Sequence, residues 1–206
     1  MPHLRCVVMI AAVLTAFVLP STVYAQATPE VFQCPSTPLG NPLQGSMWNG
    51  WGVDTSNTRY QSAEAAGLAA EDVERLTLKW AYGFEEDQFA SSQPTVVGGR
   101  IYIGTGPGGV RSLDAETGCE YWRFPAHAIV RSAISIGAMH GTTPTRYAAY
   151  FGDLQGNVYA VDAETGTHLW TKRVDVHPYT RITGAPTLFE GRLYVPVSSL
   201  EEAAAG

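Results

Sequence analysis

The chain has 206 residues, 45% of them hydrophobic and 16% charged, which is enough apolar material for a buried core and too little charge for wholesale disorder. Thirteen basic residues, two of them lysine, stand against nineteen acids for a net charge of −6 at pH 7, so no nucleic-acid partner is expected. Twenty-one glycines, thirteen prolines, ten tyrosines and five tryptophans suit tight turns and aromatic strands rather than long helices, and the expected fold class is all-β.

Residues 1–25 carry a basic head at His3 and Arg5, an apolar run from Cys6 to Leu19 and small residues up to Ala25, the pattern of a signal peptide cleaved after Ala25. The run is shorter than the ~20 residues a membrane span needs, and no later segment could cross a bilayer. The expected location is therefore periplasmic or secreted, with no membrane span after cleavage. Loss of Arg5 and Cys6 leaves twelve basic residues against nineteen acids, a net −7, and two cysteines, Cys34 and Cys119. In an oxidising compartment these two can pair or stay free, and the sequence leaves the choice open. Neither lies in a C-x-x-C-H stretch, so covalent attachment of a c-type haem to this chain is excluded.

Residues 26–44 are rich in proline and small polar side chains and read as an extended leader with little core of its own. A short helix is expected over Glu71 to Leu76, where Ala69-Ala70-Glu71-Asp72 puts acids in the first turn ahead of Val73 and Leu76.

The stretch Val110-Arg-Ser-Leu-Asp-Ala-Glu-Thr-Gly-Cys-Glu-Tyr-Trp122 returns 48 residues later as Val158-Tyr-Ala-Val-Asp-Ala-Glu-Thr-Gly-Thr-His-Leu-Trp170, identical at seven of thirteen positions. Ile101-Tyr-Ile-Gly104 and Ala149-Tyr-Phe-Gly152 repeat in the same register, and a third unit begins at Pro186-Thr187 with Leu193-Tyr-Val195. Each unit reads as alternating strand, glycine turn, second strand, D-A-E-T-G turn and a strand opened by tryptophan. Strands are expected at Arg100 to Gly104, Val110 to Leu113, Ala148 to Gly152 and Val158 to Val161, with helix scarce after Leu76. A period in the forties built of short strands is that of a β-propeller with four-stranded antiparallel blades. In the turns, Asp114 and Asp162 can accept from the following amides, Gly118 and Gly166 can take positive φ, and Trp122 and Trp170 can cover the next blade as scaffold.

Gly104-Thr-Gly106-Pro-Gly-Gly109 matches the G-x-G-x-x-G string of dinucleotide sites. Such a loop must open a helix whose first amides face the phosphates, yet Val110-Arg-Ser-Leu113 alternates as a strand. The equivalent Gly152-Asp-Leu-Gln-Gly156-Asn157 is a hairpin turn, and no nucleotide site is expected.

Ala115-Glu-Thr-Gly-Cys-Glu-Tyr-Trp122 and Ala163-Glu-Thr-Gly-Thr-His-Leu-Trp170 fit the A-x-T-G-x-x-x-W element of the pyrroloquinoline-quinone (PQQ) propellers, which the chain resembles over residues 45–206. Trp48-Asn-Gly-Trp-Gly-Val-Asp-Thr-Ser-Asn-Thr-Arg59-Tyr-Gln followed by Leu76-Thr-Leu-Lys-Trp80 is similar to the opening strand of the quinoprotein alcohol dehydrogenases. Ser92-Gln-Pro-Thr95, Thr117-Gly-Cys119, Arg181-Ile-Thr-Gly-Ala-Pro186 and Val195-Pro-Val-Ser-Ser-Leu-Glu201 are similar to the subgroup acting on polyvinyl alcohol.

The resemblance implies an exported PQQ- and calcium-dependent alcohol dehydrogenase that oxidises secondary alcohols of a hydroxylated polymer and passes electrons to a separate cytochrome c. Arg131 then corresponds to the arginine beside the reactive quinone carbonyls, Thr183 to a quinone-contacting threonine, and Glu201 to a calcium ligand with Glu202 as its neighbour. The family's general-base aspartate, its adjacent-cysteine pair and a further calcium ligand correspond to no residue up to Gly206. An eight-blade ring at about 45 residues a blade needs roughly 360 residues, so residues 45–206 are expected to be about three blades of a longer enzyme, inactive alone and open at its strand edges. The alternative reading is a cofactor-free propeller that serves as a protein-binding scaffold, resembling the outer-membrane assembly propellers.

Overall fold

The alternation of Ile101-Tyr102-Ile103 and its repeats forms strands because β-branched and aromatic side chains fill a pleated, half-buried surface. The computed structural model describes residues 32–84, 90–106 and 109–201, so the signal segment at 1–25 lies outside the described residues. Two four-stranded antiparallel sheets follow each other along the chain. The first is β1 (Thr95–Val97), β2 (Arg100–Gly104), β3 (Val110–Asp114) and β4 (Glu120–Phe124); the second is β5 (Ser135–Ala138), β6 (Tyr147–Gly152), β7 (Asn157–Asp162) and β8 (His168–Arg173). A third, partial unit has the hairpin β10 (Thr187–Phe189) with β11 (Arg192–Tyr194), and β9 (Thr180–Arg181) paired with β12 (Ser198–Ser199). The fold is all-β, an incomplete propeller of antiparallel blades.

The four expected strands are present, with ends shifted by at most one residue at either side. The repeated tryptophans stand third in β4 and β8 rather than opening them, because pairing with β3 and β7 already starts at Glu120 and His168. The expected helix forms as a 3₁₀ turn over Ala70–Arg75, where Asp72 accepts from the Ala69 amide at 2.9 Å and from Arg75. It follows the single α-turn α1 (Ala63–Ala66), and no helix among the described residues is long and apolar enough to cross a membrane.

The D-A-E-T-G turns explain how one blade grips the next. Asp114 Oδ1 accepts from the amides of Glu116 and Thr117 at 3.1 and 2.8 Å, and Asp162 Oδ1 repeats this with Glu164 and Thr165 at 3.1 and 2.9 Å. Gly118 and Gly166, at φ 75° and 72°, close the turns in a left-handed conformation that favours glycine. A Cβ at either would sit 2.7 Å from an indole: Trp80 lies on Gly118 and Trp122 on Gly166. Each indole Nε1 donates to the alanine carbonyl of the same turn, Ala115 at 3.2 Å and Ala163 at 3.1 Å. Trp122 is buried by this stacking, whereas Trp170, the next in the series, is 40% exposed.

The core lies between the two sheets and is filled by Val97, Tyr102, Val110, Trp122, Ile134, Ile136, Phe151 and Tyr159. Leu39 of the leader joins it, so residues 33–43 are fastened to the blades rather than trailing from them. Gln33 bridges Glu120 at the outer edge of β4, Arg100 donates to the carbonyls of Thr37 at 2.6 Å and Glu164 at 2.7 Å, and Cys34 is bonded to Cys119 with Cα atoms 5.1 Å apart. The leader thus straddles the first two blades.

Close packing between blades also falls on two glycines at equivalent places, Gly104 ending β2 and Gly152 ending β6. A Cβ would lie 2.6 Å from Val130 Cγ1 in the first case and 2.2 Å from Ile182 Cγ2 in the second. Gly152→Ala is therefore expected to lower the unfolding free energy by about 1–3 kcal/mol through overpacking, measured by denaturant titration. The loss should shrink when Ile182→Ala opens the space, and an equal loss in both backgrounds would refute the contact as its cause.

Candidate functional site at the inner-strand ends

Val130-Arg131-Ser132-Ala133-Ile134-Ser135 and Ile182-Thr183-Gly184-Ala185-Pro186-Thr187 occupy the same place in successive blades. Each leads into an inner strand, β5 or β10, after a fully buried aliphatic residue packed on the glycine that ends β2 or β6. The Val130 amide donates to Thr105 O and the Ile182 amide to Asp153 O, both at 3.1 Å, which seats the two segments beside the β2–β3 and β6–β7 hairpin turns. Arg131 and Thr183 are thus equivalent residues on one end of the blades. In the first of those hairpins, Thr105 N–H donates to Gly109 O at 2.7 Å and β3 follows directly, so the G-x-G-x-x-G string opens no helix.

Arg131 is exposed, with no hydrogen bond or ion pair among the described residues, yet its backbone is firmly held. Val130 and Ser132 on either side are buried. Ser132 Oγ donates to Gly152 O at 3.3 Å and accepts the Gly152 amide at 3.2 Å, while Ser132 O accepts Ser92 Oγ at 2.8 Å. An exposed guanidinium is therefore mounted on a fixed base. Thr183 is exposed with its hydroxyl 3.2 Å from Ser198 Oγ. Glu201 accepts from Ser199 Oγ at 3.0 Å and lies 3.2 Å from His177 Nε2. Thr183 and Glu201 therefore flank one short strand, β12, and Arg131 stands one blade away with no contact to either.

A cavity of about 610 Å³ lies along the inner strands, lined by Asn49, Trp51, Asp54, Asn57, Ser135 and Thr183 among others. Arg131 is not in its lining. A flat, polycarboxylated quinone would find there an indole and the Thr183 hydroxyl, but also the Asp54 carboxylate, and its cation would have to come from Arg131 beyond the lining. Calcium, which takes six to eight oxygens, is less well served: among the described residues no group of three or more His, Cys, Asp or Glu side chains forms a cage, and Glu201 by itself would offer a single carboxylate.

Two features of this region escape a reading of the sequence. Thr95 Oγ1 of β1 donates to Ile134 O, and Ser135 Oγ of β5 donates to Pro186 O, so the inner strands of three successive blades are joined by equivalent hydroxyls. The alignment of Thr95, Ser135 and Thr187 was the available signal, since each pairs with a tyrosine on the second strand of its blade. Asn49 caps the edge of β5 with both ends of its carboxamide, donating to Ile136 O and accepting the Ile136 amide at 2.8 Å each. Trp48, one residue earlier, pairs with Val96 of β1, so the opening segment laces two inner strands together.

Residues 48–204 match the family model described as outer membrane protein assembly factor BamB, of the PQQ_2 repeat type. The chain belongs to this propeller family. It is also 41% identical over 169 residues to a polyvinylalcohol dehydrogenase of Pseudomonas sp, covering 82% of this chain and 25% of that protein. A second polyvinylalcohol dehydrogenase, from Sphingopyxis sp. strain 113P3, is 38% identical over 172 residues, 83% of this chain and 26% of the relative. The crystal structure of the quinohemoprotein alcohol dehydrogenase from Comamonas testosteroni superimposes with a TM-score of 0.60 at 25% identity, over 76% of this chain and 24% of that one. This member of the family thus spans about a quarter of the length of the dehydrogenases it matches.

Proposed function

We propose that the chain is the N-terminal part of an exported, periplasmic or secreted PQQ-dependent alcohol dehydrogenase acting on secondary alcohols of polyvinyl alcohol or a similar hydroxylated polymer, with a separate cytochrome c as electron acceptor. The observation that carries this reading is the 41% identity to a polyvinylalcohol dehydrogenase over 82% of the chain, against 27% to a 1-butanol dehydrogenase (cytochrome c) of Thauera butanivorans. The bound quinone would supply an electrophilic carbonyl that accepts hydride from the carbinol carbon. Arg131, held at its backbone between buried Val130 and Ser132 and carrying a guanidinium with no partner among the described residues, is suited to donate hydrogen bonds to the oxygen on which negative charge develops. The Thr183 hydroxyl borders the cavity where the quinone would lie, and Glu201 would provide one calcium ligand, the rest coming from the quinone and from residues of the longer protein.

In the full-length enzyme, Arg131→Ala is expected to lower kcat by ~10²-fold or more while quinone occupancy falls much less, because the charge counts most as the oxyanion forms. Stopped-flow reduction of the bound quinone reads the first quantity and absorbance of the purified protein the second. The second reading, a cofactor-free scaffold for protein binding, is favoured by the description of the matching family model. Purified full-length protein that takes up no quinone, or an Arg131→Ala variant with unchanged alcohol oxidation, would shift the assignment towards it.

A further inference from the structure

Three of the four non-glycine residues with left-handed backbone among the described residues stand close together in the opening loop: Val53 at φ 80°, Asn57 at φ 54° and Arg59 at φ 54°. A β-branched residue at positive φ is unfavourable and persists only where surrounding bonds enforce it. Here the Val53 carbonyl accepts the Asn49 amide at 2.9 Å, Asn57 donates to Asp54 O at 3.2 Å and Arg59 to Gly52 O at 3.2 Å. Gly52 has no room for a side chain, since a Cβ would meet Asn57 Oδ1 at 2.3 Å and its Cα at 2.7 Å. The loop is wound on itself and anchored through Asn49 to β5.

This winding presents three side chains to the cavity. Trp51 is 52% exposed, a large apolar surface left to solvent, and the Arg59 guanidinium covers its ring at 5.8 Å from the centroid. Asp54 Oδ1 accepts from the Ser56 amide at 2.8 Å and from the Ser56 hydroxyl, and its Oδ2 has no partner among the described residues. Those bonds from Ser56 hold the carboxyl below its ordinary value, so it is an acceptor at neutral pH. The Asn57 carboxamide, with a donor and an acceptor, is likewise uncommitted among the described residues.

We propose that this loop forms a polyol-binding subsite, in which Trp51 is the platform for the C–H face of a flexible hydroxylated chain and Asp54 and Asn57 take its hydroxyl groups. An indole offers contact area at little entropic cost, and a carboxylate oxygen accepts hydrogen bonds from hydroxyl groups. The identity of the chain as an alcohol polymer rests on the dehydrogenase reading, while the subsite itself rests on the loop.

The test is direct binding, by calorimetry, of polyvinyl alcohol oligomers to the full chain without quinone. Polyethylene glycol, which lacks hydroxyls, and polyacrylate, which replaces them with carboxylates, serve as comparison probes. The oligomers should bind, with Trp51→Ala weakening them roughly tenfold and Trp51→Phe restoring most of the loss. Asp54→Asn should weaken the oligomers, because a carboxylate oxygen that accepts their hydroxyls is lost. Equal binding by wild type and Trp51→Ala, equal binding of polyethylene glycol, or no binding at all would overturn the subsite. Quinone uptake is read separately by absorbance in the full-length enzyme. Its absence with polyol binding intact would sink the dehydrogenase reading alone, and its presence without polyol binding would sink the subsite alone.

Discussion

Replacing Glu120 with alanine is expected to cost about 3–5 kcal/mol of unfolding free energy, because it strands a buried cation. The Glu120 side chain is 2% exposed and sits between Arg111, itself 4% exposed, at 2.9 Å and the half-exposed Arg123 at 2.9 Å. Tyr82 donates to it at 2.5 Å. Burial and the bond to Glu120 push the Tyr82 hydroxyl up to about 12, so it remains a donor throughout the working range. For Glu120, burial pushes the carboxyl up, but the bonds from Arg123, Tyr82 and Arg111 outweigh it and hold the group below the usual 4.5. A carboxyl depressed on folding contributes stability that is present above its unfolded value and lost as pH falls through the folded one. The gap between wild type and Glu120→Gln in denaturant midpoint should accordingly be full at neutral pH and narrow below about pH 4.5. A gap that widens on acidification would show that the cluster is not held by an ionised Glu120.

This cluster marks the limit of what the sequence discloses. The D-A-E-T-G turns, the hairpins and the strands were legible because they are local: Asp114 and Asp162 bond to amides within three residues, and alternation over Ile101 to Ile103 fixes which face is buried. Glu120 was not legible, since apart from Arg123, three residues on, its partners come from β3, from Tyr82 and from the leader, and the second blade carries His168 at the same place. The inner strands were partly hidden for another reason. The β1–β2 turn is Gly98–Gly99, whereas the chain between β5 and β6 runs from Met139 to Arg146, so the 48-residue register that aligns β2 with β6 misaligns β1 with β5. The equivalence of Arg131 and Thr183 follows only when inner strands are compared with each other. Both had been singled out through the family resemblance, and the structure supplies their common seat without bringing them into contact.

Removing the disulfide is the second large effect expected, and it acts next to Glu120, at the residue that precedes β4. Cys34 and Cys119 are 85 residues apart, and in the chain-entropy model a loop of this length is worth roughly 4–5 kcal/mol at best. The realised value should be smaller, because the leader remains paired without the bridge: Cys34 donates to Glu120 O at 2.9 Å and Glu120 to Phe32 O at 2.8 Å. In protein lacking residues 1–25, wild type should unfold at a higher guanidinium concentration than Cys34→Ser, and reductant should bring the two together while leaving Cys34→Ser unmoved. Coupling follows from that adjacency. Gln33 reaches Glu120 Oε1 at 3.4 Å, and Cys119 is its chain neighbour, so loosening the leader also loosens the cover over the buried ion pair. The double variant Cys34→Ser with Glu120→Ala should therefore lose less than the two single losses added, by about 0.5–3 kcal/mol. Strict additivity would mean that the bridge and the buried charge stabilise the first blade independently, with the leader acting only as a tether.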